Sequence, residues 1–76
     1  MLVKYSTENL VCVSEKDKNK GIYFGIYEKG NKQKLIVNYL DKDNMLINNE
    51  ILKNPENYKY IKELYEILEF LIKLEN

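Results

Sequence analysis

The chain has 76 residues, with twelve lysines, no arginine and twelve acids, so its zero formal charge gives no argument for nucleic acid or a membrane surface. A single cysteine and no histidine exclude an internal disulfide framework, the usual zinc ligand sets and the Ser-His or Cys-His nucleophile pairs. The size lies near the lower limit at which one apolar core holds a domain without staples, so a partner or self-association would help it.

Residues 1–5, MLVKY, read as an edge strand with Val3 and Tyr5 inward and Lys4 outward, the placement that blunts an edge. The apolar run is cut by STEN and is too short for a signal peptide; with the lone cysteine, this predicts a cytoplasmic protein. Residues 9–14, NLVCVS, read as a second strand. LVCV does not alternate, so either the Val11/Val13 pair or the Leu10/Cys12 pair faces the core. Cys12 has no basic neighbour in sequence and reads as an inert core thiol. The charged segment EKDKNK then leads, as a loop, to the next strand.

Residues 22–28 and 33–40 read as a hairpin. Gly30-Asn31 suits a two-residue loop with glycine first, which pairs Lys29 with Lys32, Ile26 with Leu35, Phe24 with Val37 and Ile22 with Tyr39. One face of the hairpin is then wholly apolar, and the other sets Tyr23, Gly25 and Tyr27 across from Asn38, Ile36 and Lys34. Tyr23 and Tyr27, with Lys34, Lys29 and Lys32 and the loop lysines Lys16, Lys18 and Lys20, form an aromatic and basic surface of the kind on which single-stranded bases stack. The plainer alternative is tyrosine leaning across strands to cover the gap at Gly25.

Residues 41–53, DKDNMLINNEILK, read as irregular, with a short strand or plug at Met45–Ile47 and a turn of helix at Glu50–Lys53. DKDN begins like a calcium loop, but Met45, Leu46 and Leu52 occupy the positions that require a ligand, a glycine and the closing glutamate. No glycine-rich phosphate loop is present.

The clearest element is a C-terminal helix over residues 55–75. Asn54, held extended by the following proline, caps it, and Pro55 occupies the first position, where a missing N–H costs nothing. Its apolar residues span an arc of roughly 200°, about twice the stripe of ~100° that packing on one sheet requires. Four-residue spacing pairs Lys59 with Glu63, Lys62 with Glu66 and Glu69 with Lys73 as a solvated stripe. A helix of ~31 Å overhangs seven-residue strands of ~23 Å, which places the excess apolar surface near residues 70–74. A flank made of Tyr60, Ile67, Phe70, Leu71 and Leu74 is therefore the candidate partner or dimer interface. The alternative is that Met45, Leu46, Ile51 and Leu52 fold back and cover it.

The expected architecture is α+β: one domain of three to four antiparallel strands in ββββα order, with the long helix across one face. The first forty residues carry seven lysines against four acids and the remainder five against eight, which is either the chance scatter of charge in a short chain or a basic sheet and an acidic helix. With no catalytic motif, the leading expectation is a non-enzymatic protein-interaction protein that is homodimeric or docks on a larger protein. A phage or mobile-element inhibitor of a host defence system, acting by steric occlusion, is the type this suggests. The rival expectation is a single-stranded nucleic-acid binder. No cofactor, metal or small-molecule substrate is inferred.

Overall fold

Alternating apolar residues in successive short segments fold the first two-thirds of the chain into an antiparallel meander. The computed structural model describes residues 2–19 and 21–75, with Lys32 and Gln33 described by their backbone alone. The strands are β1 (Leu2–Ser6), β2 (Leu10–Asp17), β3 (Gly21–Glu28), β4 (Asn31–Asp41) and β5 (Asn44–Ile47). They lie side by side in sequence order, so β1 and β5 are the edges. Two helices follow: α1 (Asn49–Lys53) and, after a 3-10 turn at Pro55–Asn57, α2 (Tyr58–Glu75), which packs across one face of the sheet. This is the α+β fold expected from the sequence; of the two readings for residues 45–47 the strand holds, as β5, and the expected turn of helix at 50–53 is α1. Residues 15–17, expected in a loop, extend β2.

The β3–β4 hairpin keeps the centre of the expected inner face but not the expected register. Glu28 pairs with Asn31, so the turn is Lys29-Gly30 with glycine second, where its φ of +79° is left-handed. The ladder absorbs this turn through irregularities between Ile26 and Glu28, after which Ile26 pairs with Val37 and Phe24 with Tyr39. The displacement is two residues, an even number, so Phe24, Ile26, Val37 and Tyr39 stay on the inner face. Three assignments change. Ile36, expected opposite Gly25 on the outer face, is the extra residue of the bulge and is fully buried in the core beside Val37. Leu35 pairs with Tyr27 rather than Ile26 and is half-buried. Ile22 lies one row beyond the Phe24–Tyr39–Met45 row and is 63% exposed.

A bulge also explains Val3. It pairs with Val13, whereas Tyr5 pairs with Cys12, so the register shift between them turns Val3 to the outer face and leaves it exposed. Leu10 and Cys12 face the core, which resolves the ambiguity of LVCV.

Asn54 adopts φ −70° and ψ 120°, and its side chain accepts a hydrogen bond from the Glu56 amide at 3.1 Å. The buried Asn57 side chain donates to the Ile51 carbonyl at 2.9 Å and ties α1 to the turn before α2. The core joins Leu10, Cys12, Ile26, Ile36, Val37 and Tyr39 of the sheet to Tyr60, Leu64, Ile67 and Leu71 of α2.

The size relation between helix and sheet also differs from the sequence expectation. The 18 residues of α2 span ~27 Å, close to the ~26 Å of the eight-residue strands β2 and β3, so the helix does not overhang. The mismatch is lateral: the five strands are ~24 Å across, about twice the ~10–12 Å diameter of one helix.

Candidate protein-docking flank of the C-terminal helix

Two apolar stripes run along α2. Tyr60, Leu64, Ile67 and Leu71 recur every three or four residues and are buried against the sheet. Ile61, Tyr65, Leu68 and Ile72 recur with the same spacing, one position later, and lie about 100° around the helix. Leu68 and Ile72 are half-buried at the margin of the core, while Ile61 is 37% and Tyr65 70% exposed.

The opposite flank is fastened to the β1–β2 side of the sheet. Glu63 accepts from the Asn9 backbone amide and side-chain Nδ2, both at 2.7 Å, and from the Thr7 hydroxyl. Burial pushes the Glu63 carboxyl up, but these hydrogen bonds outweigh it and hold it below the usual carboxylate range. The Tyr5 hydroxyl donates to Glu66 at 2.7 Å, and its ring packs on Phe70 with centroids 4.7 Å apart. Further along, the Tyr39 hydroxyl donates to Glu75 at 2.9 Å; burial and then this contact push Tyr39 up to about 12. At the start of the helix, the Tyr60 hydroxyl donates to Glu28, which lowers the carboxyl and pushes Tyr60 up to about 12. Glu63 and Glu66 therefore serve the sheet instead of a solvated stripe; of the three expected helix pairs, Glu69–Lys73 forms, at 3.2 Å. With this flank turned to β1, the second stripe faces the β4–β5 side, where α1 packs against both β4 and α2.

Of the five residues predicted for the interface, Tyr60, Ile67 and Leu71 belong to the core and Phe70 is half-buried beside Tyr5. Leu74 alone is well exposed, at 54%, and it falls outside the open stripe. The sequence signal for Ile61, Tyr65, Leu68 and Ile72 was the second three-four spacing inside the broad apolar arc. Residues 41–53 cover part of the helix side through Met45, Ile51 and Leu52, all half-buried against the core, whereas Leu46 is exposed on the outer face.

The predicted nucleic-acid face is assembled differently. The Tyr27 hydroxyl donates to the Glu15 carboxylate at 2.9 Å, and burial and then Glu15 push the Tyr23 hydroxyl up. Burial and then Glu15 push Tyr27 up to about 12. The Tyr27 ring covers Gly25 so closely that a Cβ there would lie 2.6 Å from its Cε1 atom. Lys34 pairs with Glu28 at 3.3 Å, on the side from which Tyr60 reaches the same carboxylate. Lys29 is exposed at the turn, while Lys20 and the Lys32 side chain lie outside the described residues. The two tyrosines thus surround a carboxylate, with Lys34 taken up elsewhere.

Cys12 is buried, and burial pushes its thiol up to about 11. Among the described residues, no three His, Cys, Asp or Glu side chains converge to hold a metal, and no helix is long and apolar enough to cross a membrane. Comparison with protein-family models, curated proteins and solved structures gives no match.

Proposed function

We propose that this small sheet-and-helix domain is a non-enzymatic protein-interaction module that docks through the flank of α2 formed by Ile61, Tyr65, Leu68 and Ile72. The observation that supports this is a second apolar stripe on a helix whose first stripe already satisfies the sheet. Tyr65 is the natural anchor, because a large amphipathic ring 70% exposed between aliphatic neighbours gains most from being covered. On this reading the chain acts by occluding a surface of its partner. Inhibition of a host defence protein by a phage- or mobile-element-borne chain is one such role, and it rests on the missing catalytic motifs of the sequence.

A photoreactive amino acid placed at Tyr65, compared with one at Leu40 on the outer face, tests the docking surface in cells. A discrete protein adduct, with this chain itself or with another, is expected from position 65 and not from position 40. Equal or absent labelling from position 65 would refute the flank.

A further inference from the structure

We propose that the outer face of the sheet, which α2 leaves uncovered, binds a small organic cation: an ammonium, amidinium or guanidinium group carried on a flat apolar body. The site is a cleft of about 360 Å³ lined by Tyr23, Asn38, Leu40, Asp43, Asn44 and Leu46. That volume lies at the lower end of small-molecule clefts, which run from ~300 to ~1,000 Å³. The cleft lies across the sheet from the core, so the proposal stands apart from the docking flank of α2.

Strand register makes the hollow. Asn38 pairs with Gly25 on one side and with Leu46 on the other, so a short amide stands between a residue without a side chain and a leucine of the edge strand. The Tyr27 ring closes the Gly25 end, while Tyr23 and Leu40 form the wall beyond Asn38. At the opposite end, Asp41 fixes the β4–β5 turn: its carboxylate accepts from the Asp43 amide at 2.8 Å and from Asn44 Nδ2 at 2.9 Å. The turn sets the exposed Asp43 on the rim. Among the described residues, neither the Asp43 carboxylate nor the Asn38 side chain has a hydrogen-bond or ion-pair partner.

Charge and shape together select a cation. Burial first, then Glu15 and Asp17, push the Tyr23 hydroxyl up, so the aromatic wall stands in the field of two carboxylates, and Asp43 adds a third at the rim. Lys42, the cation of the turn, acts on Asp41, whose carboxyl the hydrogen bonds from Asn44 and the Asp43 amide already hold low. An anion is repelled by all three acids. A cation gains from Asp43 and from the face of the Tyr23 ring, and Asn38 Oδ1 accepts one of its N–H groups. Its flat body covers Leu46, which is otherwise 74% exposed. With one exposed carboxylate and an open mouth, the expected dissociation constant is in the millimolar range.

Proton–nitrogen NMR titration of the full chain with benzamidine tests this, with benzamide and benzoate as neutral and anionic probes of the same shape. Benzamidine is expected to give saturable shifts at the amides of Tyr23, Asn38, Leu40, Asp43, Asn44 and Leu46. Benzamide is expected to bind at least about threefold more weakly, and benzoate not at all. Asp43→Asn removes the rim charge, and Tyr23→Leu removes the ring but keeps apolar bulk. Each is expected to weaken benzamidine by about threefold, and the same spectra show whether the variant is folded. The absence of any saturable shift overturns the proposal, as does benzamide or benzoate binding as tightly as benzamidine. An affinity that neither variant lowers, or shifts centred on α2, overturns the cleft as the site.

Discussion

Replacing Glu63 by alanine tests the clamp that orients α2. The carboxylate, half-buried, accepts three hydrogen bonds: from the Asn9 amide and side chain, both at 2.7 Å, and from the Thr7 hydroxyl. Removing a charged acceptor costs ~1.5–3 kcal/mol for one hydrogen bond, and water re-solvates part of what is lost at a half-buried site. The expected loss is about 3 kcal/mol. For a chain of this length the whole stability is roughly 4–11 kcal/mol, so the variant gives up a large share of it and melts about 12–24 °C lower. Glu66→Ala is the matched control: the same change on the same helix, with the same small gain in helix propensity, at an exposed residue holding one bond from Tyr5. It should cost under about 1 kcal/mol. Urea unfolding followed by far-UV circular dichroism measures both. If the two variants fall within about 0.5 kcal/mol of each other, Glu63 does not hold the helix and the assignment of a fastened and an open flank collapses.

Two further expectations concern the sheet and pH. Gly25→Ala drives a methyl to 2.6 Å from the Tyr27 ring and should destabilise by about 1–3 kcal/mol; in a Tyr27→Ser background the same change should cost clearly less, and an equal cost would show that the ring is not what restricts the site. Glu28 and Glu63 are held low in the folded chain, so their stabilisation is complete above the unfolded value near ~4.3 and is lost as pH falls through the folded values. Tyr27, Tyr39 and Tyr60 are pushed up to about 12, so theirs is complete below ~10 and is lost as pH rises toward about 12. Urea midpoints measured from acid to alkaline pH should fall at both ends, and a profile flat from pH 3 to 11 contradicts the hydroxyl–carboxylate bonds.

Local chemistry made some features legible in the sequence. The Asn54-Pro55 start of the helical segment and the inner face of the hairpin depend on near neighbours and on parity, both of which survive small changes in register. What was not legible depends on the exact partner of a residue. Glycine at 30 fits either turn position, and the choice moved the β4 register by two residues and buried Ile36. The bulge in β1, which no residue type marks, turned Val3 outward. For the docking flank, the helical repeat exposed the width of the apolar arc but not which half the sheet would take. That depended on Glu63, Glu66 and Phe70 finding Asn9, Thr7 and Tyr5 more than fifty residues earlier in the chain.

The meander also has a consequence in time. Each strand bonds only to its neighbours in sequence, so the sheet assembles through short loops, the kind of local contact that favours fast folding. Its cover is the final helix, which follows all five strands. Until α2 docks, Ile26, Val37 and Tyr39 face water on the uncovered sheet. The hazard of aggregation thus lies in the making of the protein, before α2 has docked.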